Sequence, residues 1–180
     1  EFKDAIKKQI LHHYQLVATG YKVMQSMHMT RFPVIFAGMV TKGCVESGKS
    51  VQHGGAKYTT AGMYVTGAAN LADSIAAVEK CVFEDKDCTM DELIKACDAN
   101  FVGYERLRQL LLNKPPKFGN DNEHVDAIYK EMMHFIADNV QTWHDARGGW
   151  YSFNVHSQTV NVSHGQVTGA LPDGRGACIR

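Results

Sequence analysis

The sequence predicts an α/β, helix-rich fold, and three observations carry that expectation. Phe2, Ile6, Ile10, Tyr14 and Val17 recur every three or four residues, the spacing of one apolar face of a helix. Thr89 followed by Glu92 is a capping-box signature, in which a hydroxyl and a carboxylate satisfy the first free amides of a helix. After Arg147-Gly148-Gly149, the residues Val155, Ser157, Thr159, Asn161 and Ser163 fall on one parity, as in a strand with one largely polar face.

Taken in order, residues 2–29 form the first helix, which Pro33 ends by denying the next turn an amide. Residues 34–45 are apolar and short, a pattern that fits a strand or a buried helix equally. Gly48, Gly54 and Gly55 mark a loop. The stretch 61–80 is rich in small residues, and Ala68, Ala69, Ala72, Ala76 and Ala77 suit a helix pressed closely against a neighbour. A helix opening at Thr89 is expected to run toward Leu112 and to stop at Pro115-Pro116, and another to occupy residues 122–143. No internal repeat interrupts the chain.

With 180 residues the chain is long enough to bury a core. Lysine plus arginine equals aspartate plus glutamate, 19 against 19, so no net field favours nucleic acid or an anionic membrane. The longest uncharged apolar run, residues 32–40, is too short to span a bilayer, and the first residues lack a signal-peptide pattern. Cys44, Cys81, Cys88, Cys97 and Cys178 are odd in number and form no C-x-x-C pair, the pattern of free thiols in a reducing cytosol. A cytoplasmic location is therefore expected.

Two short motifs invite chemistry. Gly43-Cys44-Val45-Glu46-Ser47-Gly48-Lys49-Ser50 matches the phosphate-loop pattern, which works only where a helix starts at the lysine; the glycines at 54 and 55 argue for a loop between helices instead. Cys44-Val45-Glu46 places a thiol and a carboxylate two residues apart. His12, His13, His124, His134 and His144 form no metal-ligand spacing and suit solvated helix positions, so no metal is expected. Trp143, Trp150, Tyr151 and Phe153 lack the cations that nucleobase stacking needs and are read as packing residues.

The loops are more specific. Gly54-Gly55-Ala56-Lys57-Tyr58, then Gly67-Ala68-Ala69-Asn70-Leu71-Ala72-Asp73-Ser74, Leu112-Asn113-Lys114-Pro115-Pro116-Lys117-Phe118-Gly119-Asn120-Asp121, Val125-Asp126, and Gly169-Ala170-Leu171-Pro172-Asp173-Gly174-Arg175 follow one another in a fixed order. Together they resemble the glycyl radical enzymes, the pyruvate formate-lyase superfamily, in its dehydratase and C–X lyase branch. The resemblance covers most of the chain from Pro33 onward. It favours helix for residues 34–45 and implies one domain, residues 1–180, that is an internal, helix-rich piece from the second half of a large α/β barrel.

The resemblance implies a whole enzyme that stores a radical on a backbone glycine, passes it to a cysteine thiyl and abstracts hydrogen from a small-molecule substrate. Dehydration or C–X or C–C bond lysis follows. Neither radical-bearing loop is expected within these residues, so no catalytic residue is assigned and this stretch alone is expected to be inactive; Cys44 and Glu46 remain the alternative catalytic pair. A substrate-pocket role is implied for His156, Ser157, Thr159 and Asn161, with His156 standing where many members carry an aromatic. Asn120, Asp121, Asp173 and Arg175 are expected in structural loops close to the site: Asp173 accepting backbone amides, Gly174 taking a positive φ, and Arg175 pairing with a carboxylate.

The resemblance also implies no bound organic cofactor or metal, an S-adenosylmethionine-dependent iron–sulfur activase as partner, a homodimer and an anaerobic cell. An arylacetate decarboxylase, an alkylsuccinate synthase or a formate acetyltransferase stays open within the family. From other classes, a P-loop nucleotide-binding module or a non-enzymatic accessory or scaffold domain stays open.

Overall fold

A computed structural model describes residues 1–156 and 161–177, with the side chain of Asn161 excepted. The chain divides into two compact units, Glu1–Tyr64 with His134–Asn154, and Val65–Met133 with Val155–Arg180.

In the first unit α1 spans Phe2–Arg31 and ends, as expected, just before Pro33. Its inward row differs from the expected one: Phe2 and Val17 are exposed, whereas Ala18 and Gln25 are buried. Polar chemistry explains the shift, because Gln25 Nε2 donates to Asp145 Oδ2 at 3.1 Å and Gln25 Oε1 accepts from the Ala146 amide at 3.0 Å. A short α2, Ile35–Val40, follows Pro33, so the ambiguous apolar run is helical. Then come α3, Cys44–Ser47, and one 3-10 turn, Val51–His53.

Residues 60–65, where small residues suggested the approach to a helix, instead form β1, Thr60–Val65, with burial alternating along it. It pairs with β2, Trp150–Val155. Tyr151 on β2 is fully buried and its hydroxyl donates to the Ala18 carbonyl at 3.3 Å. Gly54, at φ 74°, could not carry a side chain, since a Cβ would stand 2.5 Å from the Arg147 carbonyl oxygen.

Asp145 is the hub of this unit, and its side chain is wholly buried. Its Oδ1 accepts from the amides of Arg147 and Gly149 at 2.9 and 2.8 Å, and its Oδ2 pairs with the Arg147 guanidinium at 2.7 Å. Arg147 in turn donates to the Thr60 carbonyl at 2.9 Å, which ties the hub to β1. Burial pushes the Asp145 carboxyl up, but the hydrogen bonds from Arg147 and Gly149 outweigh it and hold the group below the usual carboxylate range.

The second unit is built on α4, Ala68–Val78, which continues as a π-helical turn, Glu79–Glu84. Ala72, Ala76 and Ala77 are all buried, so small side chains do permit close packing as expected. Ala77, Val78, Cys81, Leu93, Ala96, Phe101 and Leu111 form one apolar cluster. Burial pushes the Cys81 thiol up to about 11 and raises that of Cys88, so both behave as apolar core groups.

The helix opened by Thr89 is two helices, α5, Met90–Asp98, and α6, Glu105–Asn113. The cap is as expected, with the Glu92 amide donating to Thr89 Oγ1 at 3.2 Å. The break lies at Asn100, Phe101 and Gly103, all at positive φ, and it lets Phe101 turn into the core. The next helix, α7, covers Glu123–Val140; its residues 123–133 belong to the second unit and 134–140 to the first. Val125, Ile128 and Met132 supply the buried row of the former part.

The strand expected over residues 155–163 is the largest correction. The strand ends at Val155, and Asn161 opens α8, Asn161–Val167. Ser157 and Thr159 lie outside the described residues.

Asp145→Asn is expected to destabilise the protein by about 3 kcal/mol in chemical denaturation, because it leaves the Arg147 charge without its buried partner. The wild-type contribution, coming from a depressed folded-state pKa, is fully present above the unfolded carboxylate value near ~3.9 and is lost as pH falls through the lower folded one. Stability curves measured from neutral pH into acid should therefore fall more steeply for wild type than for the variant. Thr89→Ala should cost about 1 kcal/mol in the same assay, and Thr89→Ser far less.

Candidate functional site

The second unit contains a cleft of about 920 Å³. One wall is the end of β1 and the start of α4, contributing Gly67, Asn70 and Ser74. Gly67 is the N-terminal residue of that helix start at φ 76°, a conformation glycine adopts without strain. A second wall is the ring of Phe118, stacked on Tyr129 with centroids 4.2 Å apart and 14° between planes. The Phe118 amide donates to Asp73 Oδ1 at 2.7 Å, which anchors its loop to α4. Burial pushes Asp73 up, and Asp173 adds to this, against the lowering influence of the Phe118 amide and Lys117.

His156 lines the third side. Its amide donates to the Val65 carbonyl at 3.1 Å, so the pairing of β1 with β2 extends one residue past the strand and fixes the histidine backbone. His164 on α8 and Arg175 complete the lining that carries polar chemistry. Arg175 donates to the carbonyls of Gly165 and Gly169 at 3.2 and 3.4 Å.

Asp173 is buried behind the lining and joins three segments. Its Oδ2 accepts from Asn70 Nδ2 at 2.8 Å, its Oδ1 from the Arg175 amide at 2.9 Å, and its carbonyl from Lys117 Nζ at 2.9 Å. Gly174 follows at φ 90°, as the turn requires, and a Cβ there would stand 2.8 Å from Leu112 Cγ. The aspartate and glycine of this turn thus behave as the sequence suggests.

Of the other expected site residues, Asn120 and Asp121 are exposed and stand outside the cleft lining, which takes Phe118 from their loop. Asn161 opens α8, and Ser157 and Thr159 fall outside the described residues. Cys44 is buried at the start of α3, and the Glu46 carboxylate caps that helix by accepting the Gly43 amide at 2.9 Å. The phosphate-loop reading is overturned: Gly48 ends α3, so Lys49 and Ser50 follow a helix instead of starting one, and only the turn Val51–His53 comes next.

Asn70, Ser74, Tyr129 and His164 were not singled out as pocket residues. Asn70 and Ser74 lie within the Gly67-to-Ser74 motif, and His164 lines the cleft from α8. Imidazole, amide and hydroxyl groups on an apolar ground can orient a small polar molecule, and imidazole can also carry a proton. Among the described residues no group of three His, Cys, Asp or Glu side chains could hold a metal ion, and no helix is long and apolar enough to cross a membrane.

The family description Pyruvate formate lyase-like matches residues 1–165. Trans-4-hydroxy-L-proline dehydratase from Clostridioides difficile is 34% identical over 175 residues, covering 97% of this chain and 22% of the relative. The glycerol-bound B12-independent glycerol dehydratase of Clostridium butyricum superimposes with a TM-score of 0.93 at 34% identity, over 98% of this chain and 22% of that one. A glycyl radical enzyme from Archaeoglobus fulgidus gives a TM-score of 0.90 at 33% identity, over 97% and 22%. This chain therefore spans about a fifth of the length of the relatives it matches. By its matched residues, its helix order and its loop motifs, the chain belongs to the pyruvate formate lyase-like family.

Proposed function

We propose that this chain is the part of a glycyl radical enzyme that builds one side of a small-substrate cleft, in an enzyme that dehydrates its substrate or cleaves a C–X bond. The observation that carries this reading is convergence. The motifs beginning at Gly67, ending at Phe118 to Asp121 and closing at Asp173 to Arg175 are far apart in sequence, yet each gives a side chain or a supporting hydrogen bond to the same cleft.

His156, with Ser157, Thr159 and Asn161 after it, would meet the substrate, and Asp173 and Arg175 would hold the wall in place. The radical glycine and the thiyl cysteine would lie elsewhere in the enzyme, and a radical S-adenosylmethionine activase would install the radical. A homodimer in an anaerobic cytoplasm fits that chemistry. Ile35, Phe36, Met39 and Val40 on α2 are 67–75% exposed, which supports a stretch that packs against further protein.

The test is anaerobic incubation of the protein as it occurs in its cell with its activase and S-adenosylmethionine, followed by electron paramagnetic resonance and turnover assays on polyols and hydroxy acids. An organic-radical signal is expected in wild type and in His156→Ala alike, with kcat/KM falling roughly 10²-fold in the variant, because a displaced substrate reacts poorly. No radical signal, or full turnover in the variant, would overturn the assignment.

A further inference from the structure

We infer that Lys117 is a positioning residue of the cleft: its ammonium bridges the buried end of α6 and the Asp173 turn, and so sets the Phe118 ring against which a substrate lies. This rests on the reading of the cleft as a substrate wall.

The need for a cation here begins with two prolines. The Lys114 amide donates to the Leu110 carbonyl at 2.9 Å as α6 ends. In a continuing helix the Leu111 carbonyl would accept from residue 115, but Pro115 has no amide to give. Leu111 is fully buried, so solvent cannot substitute and an unpaired carbonyl there would be costly. Lys117 Nζ fills the place, donating to that carbonyl at 3.0 Å. The same ammonium donates to the carbonyl of buried Asp173 at 2.9 Å. Both bonds are charge-assisted, and the first sets a cation at a helix C-terminus, where the peptide dipoles favour it.

The next residue carries the consequence into the cleft. Phe118 and Tyr129 line it, whereas Lys117 does not, so Lys117 acts through its neighbour. The Phe118 amide donates to Asp73 Oδ1 at 2.7 Å, which fixes the loop at one atom and leaves it free to pivot there. The two bonds of Lys117 add attachments on α6 and on the Asp173 turn, and with three anchors the ring is held in its stack on Tyr129. Lys114, earlier in the same loop, gives its ammonium to Asp85 and Asp87 at 2.8 and 2.6 Å, and neither of those lines the cleft.

The experiment uses the enzyme as it occurs in its cell, with Phe118→para-fluorophenylalanine to report the ring by fluorine NMR. Tyr129→Leu marks where the resonance of an unstacked ring falls. Lys117→Met is expected to move the resonance toward that position. It should also lower kcat/KM about tenfold or more on glycerol or trans-4-hydroxy-L-proline, with the radical signal unchanged. Lys117→Arg keeps a charged donor for both carbonyls and should restore most of both readouts, while Lys114→Met should disturb neither. In a Phe118→Ala background Lys117→Met should cost little further, because the two residues act as one. Where Lys117→Met does not fold, Lys117→Gln carries the comparison.

An unmoved resonance, or equal movement with Lys114→Met, overturns the inference. So does a moved resonance with undiminished kcat/KM; if His156→Ala still lowers kcat/KM, the substrate-wall reading then stands without Lys117. If His156→Ala leaves turnover intact as well, both fail. Where wild type turns over neither compound, the resonance alone decides.

Discussion

The hydrogen bonds of Asp173 set the geometry on which the cleft depends. One carboxylate and its own carbonyl hold the start of α4 through Asn70, the loop before Phe118 through Lys117, and the turn leading to Arg175. A buried carboxylate is costly unless its oxygens find donors, and here the donors are the Asn70 amide of α4 and the Arg175 backbone amide of its own turn. The group therefore acts by specifying position: the cleft has its shape only when all three segments arrive. The stacked Phe118 and Tyr129, the Asp73 bond to the Phe118 amide and the crowded Gly174 turn all follow from that arrangement.

The first unit solves a similar problem with Asp145. That carboxylate accepts from Gln25 of α1 and closes the turn before β2. In the second unit α4 is held both by its buried apolar row and by polar bonds at Asn70 and Asp73. Helix α1 by contrast has few buried apolar residues of its own, so its position depends unusually on the Gln25 bond and on the Tyr151 hydroxyl at Ala18. Tyr14 adds a third tie, donating to the Tyr64 carbonyl at 3.2 Å, with burial pushing its phenol up to about 12.

Much of the fold was legible because its signals are local. Pro33, the Thr89 cap and the alanines of α4 each act within one or two turns, and the structure has the expected feature at each. The failures share a cause: the deciding force was tertiary. The helix between Thr89 and Leu112 breaks where the core accepts the Phe101 ring, and only Asn100 and Gly103 mark that break in the sequence. The row Phe2 to Val17 is the apolar one in the sequence, while α1 turns Gln25 inward to meet a carboxylate 120 residues away. Alternation past Val155 imitated a strand, yet α8 begins at Asn161.

The site was legible to a different depth. Turn chemistry announces itself through Asp, Gly and Pro, so the Asp173–Gly174 turn could be read with its amide bond and its positive φ. Which loops meet cannot be read from turn chemistry, and this is why Asn70, Ser74 and Tyr129 were passed over as pocket residues. Asn120 and Asp121 illustrate the converse: they are conspicuous in sequence but exposed, and Asp121, with Gly119, serves a turn at positive φ. In this chain the conspicuous Asp173 turn builds the frame, and plainer neighbours such as Asn70, Ser74 and Tyr129 line the cleft beside it.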